Sequence, residues 1–364
     1  MKLHEIVATM ESWAPLSYQD EWDNSGLIIG DPNTEVTGIL ISLDTTAEVL
    51  QEAISNKCNL VVSHHPLIFH GLKKLTPAIH EYPVIQFAFQ NNIGIYALHT
   101  NLDNKLESLN HFLGKKLGLE KISILKAKAG YLKKLVTFCP ISQTSNVREA
   151  LFEAGAGQIG EYDCCSYTGS GQGSFRASDK TNPFVGEKNI VHFEDENRIE
   201  VIFPIHIEKK LIHVLQKSHP YEEVAYDIYP LSNSFSTVGA GIVGTFPEPK
   251  RDTDILRLVK ELFSIKVLRH TVPLNRKISK IALCSGSGAF LIPEVIRQGI
   301  DLFLTGDLKY HDFQTGREDL LLADIGHYES EHFVKEMLHA VLIEKFPKFA
   351  VLISEREINP INYL

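Results

Sequence analysis

The sequence predicts an α/β protein: an αβα domain with a mainly parallel sheet, split in two by a ferredoxin-like insert. Three observations predict it. Apolar β-branched runs alternate with amphipathic helical stretches in the first third, the texture changes between Lys134 and Leu231, and the first texture returns after Pro247-Glu248-Pro249. The expected divisions are residues 1–125 and 249–364 for the two halves of the α/β domain, and 126–248 for the insert.

Near the N terminus, residues 38–43 form an apolar run, 46–55 an amphipathic helical stretch and 60–63 a second apolar run. Such alternation marks βαβ units, whose crossover helices make neighbouring strands run parallel. A helix over 83–90, a strand over 93–98 and a helix over 106–117 continue it. In the middle come strand 135–138, helix 146–154, a polar Gly/Ser stretch over 157–186, strand 199–204, helix 207–217 and strand 225–229. A β-α-β-β-α-β order is ferredoxin-like, here with a long loop at its centre. Beyond the Pro-rich hinge 247–249 lie strand 280–284, helix 291–298, strands 302–304 and 320–323, and a helix from 328 to 345.

A length of 364 residues suits two or three domains, since each usually takes about 100–200. With 44% hydrophobic and 22% charged residues the chain has the composition of a packed, enzyme-like body. A net charge of -9 denies it the positive field that draws proteins to phosphate backbones, so nucleic acid is not expected as a main partner. No stretch near Met1 is apolar for long enough to be a signal peptide or a membrane span, so no membrane association and a cytoplasmic location are expected. The five cysteines are scattered without CxxC spacing, which indicates neither a disulfide framework nor a Cys-rich zinc site. The 16 histidines say more, because several directly follow apolar runs.

Ser63-His64-His65-Pro66 follows one such run, and Pro66 biases His65 to an extended backbone, so the two imidazoles diverge. Read alone, the pair could be a polar loop. After residues 93–98 comes His99-Thr100-Asn101-Leu102-Asp103, where Asp103 offers an anionic oxygen but is equally a helix cap or Asx turn. In Gly326-His327-Tyr328-Glu329-Ser330-Glu331, His327 and Glu331 are four apart at a helix start and share one face. The plainer reading there is an acidic first turn favoured by the helix dipole. All three stretches lie past the C-terminal ends of predicted strands, where open α/β sheets bind ligands, so the three are expected to converge on one sheet edge. Three imidazoles and two carboxylates without a thiolate suit zinc, manganese or iron. Five ligands exceed one tetrahedral ion and fit two ions about 3.5–4 Å apart. Trp22-Asp23-Asn24-Ser25-Gly26, Ser285-Gly286-Ser287-Gly288 and the stretch from Thr305 to His311 each adjoin a strand. Asp23, Asn24 and Asp307 are the candidates for a substrate cleft, with turn formation as the plainer reading. The Ser/Gly run could offer backbone amides to a phosphate, but it lacks both the P-loop Lys and GxGxxG spacing, so a plain tight turn is the favoured reading.

Taken in order, Trp22-Asp23-Asn24-Ser25-Gly26-Leu27, Ser63-His64-His65-Pro66, His99-Thr100-Asn101-Leu102-Asp103, Thr305-Gly306-Asp307 and Gly326-His327-Tyr328-Glu329-Ser330-Glu331 resemble the GTP cyclohydrolase 1 type 2 homologue (Nif-three-like) family. The resemblance spans residues 1–125 and 249–364. It implies a dinuclear site whose ligand positions are held by His64, His65, Asp103, His327 and Glu331, in a toroidal homohexamer with the metal sites facing an internal cavity. The middle segment, through Asn182-Pro183-Phe184-Val185-Gly186 and the stretch from His219 to Tyr226, resembles the PII-like or CutA-like insert of the longer bacterial members. Such an insert implies a cap on the toroid, a regulator site or an inert trimer-forming lid.

The function expected is that of a hydrolase with two divalent ions per subunit, zinc first and manganese or iron as alternatives. The family name points to a nucleotide substrate and to opening of the purine ring of GTP, with His99 as the group that moves protons. Two other readings stand beside it: a non-catalytic, metal-binding regulatory hexamer, and a phosphoesterase using the same two ions.

Overall fold

The computed structural model describes residues 1–316 and 319–364 as a mixed α/β fold. It divides into two compact units, residues 1–127 with 237–364, and residues 128–236. The chain leaves the first unit along the strand Glu120–Ala129 and re-enters it along Ser234–Arg251.

The first unit holds two sheets where the sequence reading has one. In the first, Val351–Ile353, Ile39–Ser42, Leu60–Ser63 and Gly94–Ala97 run parallel, and Gly26–Ile29 closes the edge antiparallel to Gly94–Ala97. Side chains alternate across a strand. Thus Ile39, Ile41, Leu60 and Val62 face one core, while Leu40 and Val61 face another under the helices Ala47–Ser55 and Tyr82–Gln90. Thr46 starts the first of these helices by accepting a hydrogen bond from the Val49 N–H at 3.3 Å.

The second sheet runs in the order Arg269–His270, Leu321–Asp324, Leu302–Gly306, Lys277–Ser287, Ser234–Arg251 and Glu120–Ala129. Leu321–Asp324, Leu302–Gly306 and Lys277–Ser287 run parallel, with Arg269–His270 and Ser234–Arg251 antiparallel on either side of them. Its inward residues Ile281, Leu283, Leu302 and Leu304 join Ile39, Ile41 and Val62 in a single core. The two sheets therefore share one core, and the expected single, mainly parallel sheet is corrected to two. Hydrophobic period identifies a strand but not its neighbour, so strands of separate sheets look alike in sequence.

The unit of residues 128–236 has a four-stranded antiparallel sheet in the order Ser166–Arg176, Val191–Pro204, Leu132–Pro140, Tyr226–Leu231. The helices Thr144–Glu153 and Glu208–Ser218 cover one face through Val147, Leu151, Leu211 and Leu215. Part of the Gly/Ser stretch expected as loop is the strand Ser166–Arg176, held by an eleven-residue ladder to Val191–Pro204. Backbone hydrogen bonds need no side chains, so pairing overrides poor strand propensity. The expected hinge at 247–249 lies inside Ser234–Arg251, where the register against Lys277–Ser287 shifts between Thr245 and Lys250. Prolines are tolerated in such an irregular gap. The expected helix 328–345 is two helices, His327–Glu331 and Val334–Lys345. No helix of the described residues is long and apolar enough to cross a membrane.

Candidate metal centre

His64 and His65 leave the strand Leu60–Ser63, His99 lies just beyond Gly94–Ala97, and Asp103 ends the short helix Thr100–Asp103. All four belong to the first sheet's C-terminal edge. His327 and Glu331 bound a short helix that follows Leu321–Asp324 of the second sheet. Its turn is made by Gly326 at φ +79, where a side chain would meet the Glu329 carboxylate. The convergence expected at one sheet edge is thus a meeting of two sheets across their common core.

Glu331 lies at the middle of the cluster. Its Oε2 is 2.9 Å from both His65 Nε2 and His327 Nε2, and its Oε1 is 3.9 Å from His64 Nε2. Asp103 Oδ2 is 3.7 Å from His64 Nε2. Ligand atoms of His65, His327 and Glu331 lie within 4.8 Å of one another, and so do those of His64, His65 and His99. Asp103 belongs to neither group of three, and His99, expected to move protons, sits among possible ligands.

Each imidazole is oriented through its other nitrogen. His64 Nδ1 lies 2.7 Å from the Leu98 carbonyl, His65 Nδ1 2.7 Å from Asp44, His327 Nδ1 2.7 Å from Asp307 and His99 Nδ1 2.8 Å from Asp23. With Nδ1 donating, Nε2 is directed into the cluster, the arrangement in which outer carboxylates and carbonyls orient metal-bound histidines. Asp307 and Asp23, expected in a substrate cleft, thus lie behind His327 and His99. Asn24 uses its side-chain amide on the Ile68 carbonyl at 2.6 Å and does not enter the cluster. Asp44 was missed by sequence reasoning, although it follows the strand Ile39–Ser42 just as His64 follows Leu60–Ser63. Applying the strand-end rule to every parallel strand would have found it.

Burial opposes a charge on His65, but its bonds with Asp44 and Glu331 outweigh that and raise its pKa to about 10. The bonds of His327 to Asp307 and Glu331 also raise it to about 10, against a smaller cost of burial. Full burial pushes His64 down to about 3. Burial and the neighbouring Glu331 charge push Asp103 well above the usual carboxylate range. Glu331, against its own burial, is held well below that range by His327 and His65. A cation held here by His65 and His327 would need both imidazoles deprotonated at Nε2.

The donor set passes a further test of fit for a metal. His64 Nε2 and Asp103 Oδ1 are buried without a hydrogen-bond partner, and an unmet buried polar group costs about 1–3 kcal/mol. A divalent cation between them satisfies both. Gly286 completes the enclosure at φ +60, and a Cβ there would strike Glu331 Oε1. Gly286→Ala is therefore expected to combine about 1–2 kcal/mol of left-handed backbone strain with a displaced carboxylate. A lowered melting temperature and a lowered metal content would register the two effects separately, and unchanged metal content would show that Glu331 is not a ligand.

Comparison with known proteins gives a consistent picture. Residues 1–360 match the family described as Duf34/NIF3 (NGG1p interacting factor 3). The chain is 35% identical to the GTP cyclohydrolase 1 type 2 homolog of Halalkalibacterium halodurans, over 99% of this chain and 98% of that protein. It is 34% identical to the Bacillus subtilis protein of the same name, again over 99% and 98%. A Bacillus cereus protein related to NIF3 superposes with a TM-score of 0.85 at 34% identity, over 100% of this chain and 99% of that one. The match runs through both units and across the whole constellation around Glu331: the chain belongs to the DUF34/NIF3 family.

Proposed function

We propose that the chain is a divalent-metal-dependent hydrolase acting on a nucleotide, with two ions held by His64, His65, Asp103, His327 and Glu331. The observation that carries this reading is the pair of buried, unpartnered ligand atoms, His64 Nε2 and Asp103 Oδ1, beside the Glu331 carboxylate. Zinc is the first metal to test, then manganese and iron. When bound, such ions lower the pKa of water to about 7 and polarise the bond under attack.

The chain's own residues do the rest. Asp44, Asp307 and the Leu98 carbonyl hold the His65, His327 and His64 rings in place. Asp23 is held well below its usual range: its bonds from His99, Thr100 and Ser25 outweigh its burial. It accepts a hydrogen bond from the Nδ1–H of His99, which leaves His99 Nε2 to take up and return a proton at the reacting centre. Trp22 and Phe69 are exposed, with ring centroids 5.8 and 5.6 Å from His99. Such faces suit stacking by a purine, and the name of the relatives makes GTP the first substrate to try.

Family membership supports the remaining parts of the reading: a split αβα domain, a ferredoxin-like, PII/CutA-like insert over residues 128–236, a toroidal homohexamer and a cytoplasmic setting. The test is elemental analysis of purified protein paired with a mass-spectrometric screen for turnover of GTP and other nucleotides. About two ions per chain and turnover are expected. In Asp23→Asn, turnover should fall by about 10²–10⁴ with metal content unchanged. Two ions without turnover of any nucleotide would shift the reading to a regulatory metal-binding assembly.

A further inference from the structure

The strand Val351–Ile353 runs parallel to Ile39–Ser42, so the chain leaves it at the same sheet edge that bears Asp44, His64 and His65. The segment beyond it is anchored at its start, where the Ser354 hydroxyl and the Glu355 N–H both donate to the Glu52 carboxylate of the helix Ala47–Ser55. Glu357 Oε2 then accepts the Leu43 N–H at 2.6 Å and pairs with Lys335 at 3.4 Å. Further on, the Asn359 amide and the Tyr363 hydroxyl donate to Glu329 Oε1 at 2.9 and 3.1 Å.

Both of these contacts fall on backbone that carries candidate metal ligands. The Leu43 carbonyl accepts the His64 and His65 N–H groups at 3.1 and 2.9 Å, and Asp44, next in the chain, orients the His65 ring. Glu329 sits midway between His327 and Glu331. Residues two apart on a helix do not share a face, so the buried Glu329 points away from the cluster while its two neighbours point into it. A five-residue helix cannot hold its own shape, because helix nucleation is costly, and it takes its geometry from what its flanks meet. On one flank the Ser330 hydroxyl accepts the Gly286 N–H at 3.0 Å. On the other, Asn359 and Tyr363 grip Glu329.

We propose that residues 354–363 form a positioning strap that holds both halves of the metal centre in register. Glu357 acts on His64 and His65 through Leu43, and Glu329, gripped by Asn359 and Tyr363, acts on His327 and Glu331 through the helical turn they share. This role rests on the metal-centre reading proposed above and adds to it residues that touch no ion.

The test is titration of the metal-free full chain with cobalt(II), followed by visible absorption and by competition with a chelator, because the absorption bands of the bound ion report its coordination geometry. Tyr363→Phe combined with Asn359→Ala takes both donors from Glu329, Glu329→Leu removes the grip from the other side, and Glu357→Ala releases Leu43. Each is expected to weaken cobalt binding about tenfold, the lower end of the range for groups that orient metal-bound histidines, and to shift the bands at saturation. Glu329→Gln keeps an oxygen acceptor for both donors and should restore wild-type affinity and bands. A purely structural contact would lower the melting temperature of the metal-free variants and leave the saturated spectrum as in wild type, and that result would overturn the proposal. So would a Glu329→Gln protein as weak as Glu329→Leu. Wild-type protein that takes up no cobalt would overturn the metal-centre reading and the strap with it, whereas uptake by wild type and equally by the variants would overturn the strap alone.

Discussion

Glu331→Ala is expected to cost the centre more than about 100-fold in metal affinity, seen as loss of bound metal after dialysis and as failure to compete with a chelator. Removing an outer carboxylate behind a metal-bound histidine costs about 10–100-fold, and Glu331 stands closer to the centre than any such group. It is 2.9 Å from both His65 Nε2 and His327 Nε2, so its loss removes one donor and frees two imidazoles. Asp44→Asn supplies the graded comparison. Asp44 touches only the Nδ1 side of His65 in the cluster, and its loss should fall within the outer-group range of about 10–100-fold. Full metal stoichiometry in a folded Glu331→Ala protein would remove this centre from consideration, and equal losses in both variants would mean Glu331 acts only by orienting histidines.

Removing the metal is expected to lower the melting temperature by about 5–10 °C. The proposed ligands come from both sheets, His64, His65 and Asp103 from one and His327 and Glu331 from the other. An ion bound by all of them is lost when the sheets part, so it stabilises the folded unit by mass action. At a free concentration 100 times its Kd, one ion contributes about 2.7 kcal/mol, and each kcal/mol moves the transition of a domain this size by about 2–4 °C. Calorimetry before and after chelation measures the shift, and readding the divalent metal should restore it. The Glu331→Ala protein should melt at one temperature with or without chelator. A wild-type transition that ignores chelation would show that the cluster binds metal too weakly to join the sheets.

Much of this centre was legible in the sequence. The histidines follow short apolar runs, and the i, i+4 spacing of His327 and Glu331 puts both on one helical face, which the structure realises with a 2.9 Å contact. Asp23 and Asp307 stood out as well, but as cleft residues. Their place behind His99 and His327 depends on contacts between residues 76 and 20 positions apart. Asp44 carried no motif of its own. The strand Ser166–Arg176 was invisible for a different reason: its stability comes from its ladder to Val191–Pro204 and not from its own residues.

The candidate donor residues, most of the strands and helices, and the change of texture that sets residues 134–231 apart are legible in the sequence, because residue type and short periodicity are local properties. That two sheets share one core and that Glu331 stands among three imidazoles emerge only when the chain is folded. Those outcomes follow from strand register and core packing between distant segments, which no local pattern encodes.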